Sequence, residues 1–209
     1  MSYSNDIFIS YRRETNAWTP WARDTFKRPL ESWLQRELGQ PANIFIDEQI
    51  PIGTNYVDHL ATSLARSKVM IPLLSRDYFS SDWCVHELDL MIARSKGNDL
   101  IVPILVHDGD VIPDTVNQLM HADFKAYANP VLFGDAPLHK KFWDEIGKIA
   151  PRIRKAIEAA PSFDNRWVDQ FRKRLMEVYN AGLTGKRLPP KNFVLKASGP
   201  PKMPPRLKP

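Results

Sequence analysis

Residues 68–97 read KVMIPLLSRDYFSSDWCVHELDLMIARSKG, and the reading of this stretch decides the fold. Its residues 69–74, VMIPLL, are continuously apolar rather than alternating, the signature of a strand covered on both faces. The remainder, from Ser75 to Gly97, reads as a helix, so the unit is a strand followed at once by a helix. The same order recurs on either side. "DIFIS" (6–10) precedes "TPWARDTFKRPLESWLQREL" (19–38), in which Trp21, Phe26, Leu30, Trp33, Leu34 and Leu38 recur near helical spacing and Pro29 is expected to kink or divide the helix. "NIFIDE" (43–48) precedes the loop "QIPIGTN" (49–55) and a helix placing Val57, Leu60 and Leu64 on one face; "DLIVPILVHDG" (99–109) is a fourth strand. Strands alternating with helices through short loops specify a parallel sheet with right-handed crossovers on both faces. A fifth edge strand is expected near "DFKAY" (123–127), then a helix over 137–161 with a break near Pro151, then an amphipathic helix ended by Gly182. The fold expected is a three-layer α/β sandwich around a five-stranded parallel sheet.

The 209 residues suffice for one such domain, and 43% apolar with 25% charged residues is the composition of a folded body. A net charge of +5 invites a nucleic-acid reading, but its location undoes that. Residues 186–209 hold seven Lys or Arg and no acid, which leaves 22 basic against 24 acidic groups before them. No nucleic acid is therefore expected on the body. The same segment holds seven of the 18 prolines and is expected to be a disordered tail. One cysteine, Cys84, makes no internal disulfide, the N-terminus has no signal-peptide pattern, and the apolar runs are too short for a bilayer. A cytoplasmic protein without membrane association is expected.

No GxxxxGK[ST] or GxGxxG motif is present, and the five histidines show no zinc spacing, so no metal is expected. In Trp83-Cys84-Val85-His86-Glu87 the carboxylate has three readings: a first-turn helix glutamate, a metal ligand beside His86 and Cys84, or a catalytic acid at the mouth of the sheet. Position favours the third. In open parallel sheets ligands gather at the carboxyl ends of strands. Those ends deliver Tyr11, Arg12 and Arg13 after the first strand, Asp47 and Glu48 after the second and Ser75 after the third, while Trp83 and Glu87, four apart, share a helix face. Cys84 reads as a buried structural residue.

"DIFISYRRE", "IFIDEQIPIGTNYVDHL", "KVMIPLLSRDYFSSDWCVHEL" and "IVPILV" resemble, in order, the signature segments of TIR (Toll/interleukin-1 receptor homology) domains, over about residues 5–160. The likeness is greatest to the bacterial, plant and axonal-degeneration members that cleave NAD, of which the bacterial type is the one expected, and it implies a flavodoxin-like sandwich. It divides the chain into a TIR domain (1–160), an accessory helix (161–185) and the tail (186–209). By the resemblance Glu87 is the catalytic glutamate, and Arg12, Arg13, Asp47, Tyr56 and Trp83 line the substrate site; "QIPIGTN" is the BB loop. The longer first crossover, with two extra tryptophans, is expected to reshape the pocket rim or a self-association surface. The implied activity is that of an NAD+ nucleosidase releasing nicotinamide and a linear, cyclic or conjugated ADP-ribose. NAD is then substrate and no cofactor is needed. Activity would be gated by oligomerisation through TIR–TIR contacts, in antiphage or stress signalling with a separate sensor or effector protein. The alternative is a non-catalytic adaptor working by homotypic contact, which has no need of Glu87. A phospho-receiver is disfavoured, because the end of the first strand, "SYRRE", is basic rather than acidic.

Overall fold

The structure, a computed structural model, describes residues 2–13, 18–47, 55–97, 99–107, 112–119, 122–128 and 136–195. In chain order its elements are β1 (Asn5–Ser10), α1 (Trp18–Pro20), a π-helical stretch (Trp21–Lys27), α2 (Arg28–Leu38), β2 (Ile44–Ile46), α3 (Tyr56–Ala65), β3 (Ser67–Leu74), α4 (Arg76–Ser80), α5 (Asp82–Ser95), β4 (Ile104–Leu105), α6 (Asp114–Asn117), β5 (Ala122–Asp123), a 3-10 turn (Lys125–Tyr127) in the stretch expected as the fifth strand, α7 (Ala136–Glu158) and α8 (Arg166–Leu183). The five strands form one parallel sheet in the order β2-β1-β3-β4-β5, with Ile7 paired to Ile44 on one side and to Val69 on the other. This is the expected flavodoxin-like α/β sandwich.

Alternation along β1 sorts the core into two layers. Ile7 and Ile9 face the cluster under α2 and α7, with Leu30, Leu34, Phe142, Ile146 and Ile153. Phe8 faces the cluster under α3, α5 and α8, with Leu60, Leu64, Leu88, Phe171 and Leu175. The fourth strand is shorter than the apolar run 99–109 suggests. Ile101 makes a bridge to Met70, Pro103 has no N–H to donate, and the ladder resumes only at Ile104.

Three expectations are corrected. α7 runs through Pro151 without a break. The hydrogen bond that Pro151 forfeits is offset by burial of Ile146, Ile149, Ala150 and Ile153 along the same helix. Gly147, one turn before it, lies so close to Trp33 that an added Cβ would stand 2.9 Å from the indole. At Pro29 the chain stays helical, with Lys27 and Arg28 both in the right-handed helical region; what changes is the pattern of turns, from the wide π-helical stretch to α2, which begins at Arg28. Second, Trp21 is no rim residue. It is buried against Phe26 and Phe142, and its indole N–H donates to the Tyr127 carbonyl at 2.8 Å.

Third, the segment expected as a disordered tail is packed over residues 186–195 and straps the outer side of α5. The Asp89 carboxylate accepts the backbone N–H groups of Lys191 and Asn192 at 2.7–3.0 Å, as well as the Asn192 side chain. Arg187 pairs with Asp82, and the Arg174 guanidinium donates to the Pro189 carbonyl. His86, buried, meets the Leu188 carbonyl at 3.1 Å through Nε2; a carbonyl only accepts, so that nitrogen carries the proton. Phe193 is 5% exposed within the second core layer. The composition misled because one buried carboxylate and one phenyl ring anchor a chain that its prolines already hold extended. Phe193→Ala is expected to cost about 3 kcal/mol, read as a lower denaturant midpoint at unchanged slope. No helix among the described residues is long and apolar enough to cross a membrane.

Candidate active site

The chain order reverses at β1, whose neighbours β2 and β3 are reached in opposite directions, and a crevice opens there at the carboxyl ends of the strands. A cavity of about 340 Å³ fills it, lined by Ser10, Tyr11, Arg12 and Arg13 from the end of β1, Asp47 from the end of β2, Tyr56 at the start of α3, Trp83, Cys84 and Glu87 from α5, and Tyr179 from α8. The six residues assigned to the site in the sequence, Arg12, Arg13, Asp47, Tyr56, Trp83 and Glu87, stand on this cavity; of the other strand-end residues, Ser75 instead caps α4 by accepting the Tyr78 N–H, and Glu48 lies outside the described residues.

Local sequence explains the placement. Ser81 caps α5 by accepting the Cys84 N–H, which turns the first two turns of the helix toward β1. Asn55 caps α3 by accepting from Val57 and Asp58, so Tyr56 opens that helix at the rim. Residues 49–54 of the expected BB loop lie outside the described residues.

One wall is a network. The Asp47 carboxylate accepts from Arg13 at 3.2 Å and from the Tyr56 hydroxyl at 3.2 Å, and the Arg13 guanidinium lies 5.2 Å from the centre of the Tyr56 ring. Trp83 meets Tyr56 edge-on at 5.1 Å. Asp47 thus holds two of its neighbours in place. Arg12 lines the cavity beside them.

Glu87 forms the floor. It is 6% exposed, deeper than a carboxylate on a cleft surface, and Oε2 accepts from the Ser10 hydroxyl at 2.5 Å. Ser10 in turn pairs with the Tyr78 hydroxyl at 3.0 Å. Burial pushes the Glu87 carboxyl up to about 8; the Ser10 hydrogen bond pulls it down, the Asp47 carboxylate raises it, and Arg13 lowers it. The resting carboxyl therefore takes up or releases its proton near neutrality, and a cation arriving above it would favour ionisation. Cys84 is buried with its thiol toward the Tyr11 carbonyl at 3.4 Å, and burial next to Glu87 raises it well out of thiolate range. No group of three or more His, Cys, Asp or Glu among the described residues is arranged to hold a metal ion.

Ser10, Tyr78 and Tyr179 escaped the sequence reading. Ser10 had left a trace, as the polar residue that closes an apolar strand. Tyr179 had none, because its helix is remote from the strand ends in sequence.

The family model for the TIR domain matches residues 7–131, more than half of the chain, and the chain belongs to that family. Among curated proteins, "Protein SUPPRESSOR OF npr1-1, CONSTITUTIVE 1" of Arabidopsis thaliana is 31% identical over 103 residues, 49% of this chain and 6% of that protein. The "2' cyclic ADP-D-ribose synthase AbTIR" of Acinetobacter baumannii (strain 1295743) is 34% identical over 101 residues, 47% of this chain and 34% of that protein. The matched part of this chain thus spans 6% of the length of the first relative and 34% of the second. Among solved structures, the TIR domain of the Toll-related receptor TRR-2 from Hydra magnipapillata aligns over 70% of this chain and 98% of its own, with a TM-score of 0.46 and 17% identity.

Proposed function

We propose that this chain is an NAD+ nucleosidase of the bacterial TIR type, with Glu87 as its catalytic residue. The observation that carries the reading is the buried Glu87 carboxyl at the floor of a cavity walled by Tyr56 and Trp83 and flanked by Arg12 and Arg13. The likeness to a 2' cyclic ADP-D-ribose synthase supports it.

Most glycosidases need two carboxylates, because an alkoxide leaving group must be protonated. Nicotinamide is different: it is cationic while bound to ribose, takes the electron pair of the breaking C1′–N bond, and departs neutral. One carboxylate then suffices. Ionised Glu87 faces the developing ribosyl cation and accepts hydrogen bonds from the ribose hydroxyls. Tyr56 and Trp83 wall the nicotinamide end, Asp47 holds Tyr56 and Arg13, and the arginines meet phosphate oxygens. Water adding to C1′ yields ADP-ribose and a proton; a nucleophile within the same molecule yields a cyclic product. NAD is substrate and no cofactor takes part. Assembly of several copies gates the reaction, in the cytoplasm, with a separate sensor or effector supplying the signalling partner.

The test is incubation of the purified protein, dilute and concentrated, with NAD+, followed by separation and mass measurement of the products. Release of nicotinamide supports the reading, and the second product's mass distinguishes depletion from signalling. Silence at every concentration with self-association intact would replace it with the adaptor reading. Ser10→Ala removes the hydrogen bond that favours ionised Glu87, so the alkaline-rising limb of kcat/KM should move up by about half to one pH unit. A limb that stays in place would mean that Glu87 does not govern it.

A further inference from the structure

Four large apolar side chains among the described residues are conspicuously exposed, and two of them stand together one turn apart on α8: Tyr179, 44% exposed, and Leu183, 69% exposed. They border a second concavity of about 340 Å³ between the start of α5 and the end of α8. This concavity adjoins the first, and the two share Arg12, Ser81, Trp83 and Tyr179. The Tyr179 ring lies 6.5 Å from that of Trp83, which itself abuts Tyr56. An aromatic series therefore runs from the catalytic cavity out onto a helix beyond residues 7–131, the region the family model matches.

We propose, resting on the NAD+ reading above, that this second concavity is the subsite for the adenosine half of the dinucleotide, with Tyr179 as the surface on which the purine stacks. The first cavity lies at the small end of the range for ligand sites and accommodates one nucleoside. A dinucleotide bound there with its nicotinamide ribose over Glu87 must extend its other half outward. Arg12 lines both concavities, which is where the pyrophosphate linking the two halves would pass. A purine presents a flat π-face, and an exposed tyrosine beside a leucine is an apolar platform that such a face would cover. Tyr179 is thus a positioning residue: it touches the half of the substrate that does not react.

The experiment uses the full chain carrying Glu87→Gln, so that bound ligand persists, and measures calorimetric affinities for NAD+ and for nicotinamide mononucleotide, which lacks the adenosine half. Adding Tyr179→Ala should lower the ratio of the two affinities, NAD+ over mononucleotide, about tenfold, the worth of one stacked base. Tyr179→Phe, which keeps the ring, should restore the ratio. Leu183→Glu, which places a carboxylate on the second concavity alone, should lower it in the same direction. If NAD+ binds the Glu87→Gln protein and neither Tyr179→Ala nor Leu183→Glu changes the ratio, the subsite is wrong while the reading of the catalytic cavity stands. If neither ligand binds the Glu87→Gln protein, the NAD+ reading fails and this inference with it.

Discussion

Glu87→Gln should abolish NAD+ cleavage, by about 10³-fold or more in kcat, and at the same time make the protein more stable at alkaline pH. Both effects follow from one buried carboxyl. Glutamine keeps the shape and the acceptor for the Ser10 hydroxyl but cannot carry the negative charge that faces a ribosyl cation. For stability the sign is set by the direction of the shift. The folded protein holds the Glu87 proton up to about pH 8, whereas an unfolded chain releases it near the ordinary carboxylate value of about 4.3. In that interval the folded state binds more protons, so stability is full below the lower value and falls as pH rises through the upper one. At about 1.4 kcal/mol per unit the loss amounts to roughly 3–5 kcal/mol above pH 8, an upper bound for a site that water can enter. The glutamine variant has nothing to ionise. Denaturant titrations of the two proteins at pH 5 and pH 8.5 should differ little at the lower pH and favour the variant by a few kcal/mol at the higher. A parent whose stability matches the variant at both would mean that the carboxyl is ionised in the folded state at no cost. Retention of nicotinamide release by the variant would remove Glu87 from the mechanism.

The second large effect is expected far from the cavity. Arg94→Ala should destabilise the fold by about 4 kcal/mol, which lowers the thermal midpoint by roughly 10 °C in a domain of this size. Arg94, on α5 two turns beyond Glu87, is 5% exposed, and burial lowers its pKa from the ordinary arginine value. Its guanidinium donates to the Ala65 carbonyl at the end of α3, to the Lys68 carbonyl in β3 and to the Tyr3 hydroxyl, at 3.2–3.3 Å, and it lies 4.5 Å from the centre of a Trp167 ring. One planar fork therefore joins α5 to α3, β3, α8 and the N-terminal segment. Alanine leaves two carbonyls without their donors and a void between four elements. Lysine should recover little, since a single ammonium cannot span the same acceptors while lying against the indole. Thermal unfolding of the parent, Arg94→Ala and Arg94→Lys measures both expectations. A midpoint within two degrees of the parent in the alanine variant would show that the four elements hold together without it.

Much of this architecture is legible in the sequence, because it rests on local rules. Apolar runs of strand length separated by helical periodicity specify a parallel sheet, and strand-end position alone nominated Arg12, Arg13 and Asp47. The four-residue spacing of Trp83 and Glu87 put them on one face. Pro151 is not legible for a local reason: proline disfavours a helix interior by about 3 kcal/mol, and only the packing of the opposite helix face outweighs it. The strap over 186–195 is hidden for a related one. Its composition is that of a solvated chain, and Asp89, which anchors it, stands about a hundred residues earlier.

What the sequence by itself determined is the layered sheet, its membership in the TIR family and the group of residues gathered at the strand ends, since each depends on periodicity and order along the chain. What only the tertiary structure decided is how deep Glu87 lies, that Ser10 rather than a cation is its hydrogen-bond partner, that Asp47 engages Arg13 and Tyr56, and that α8 brings Tyr179 to the cavity. Burial, and with it the proton affinity of a carboxyl, is a property of everything packed around a group, and those neighbours come from segments 77 and 40 residues away in Ser10 and Asp47 and 92 in Tyr179.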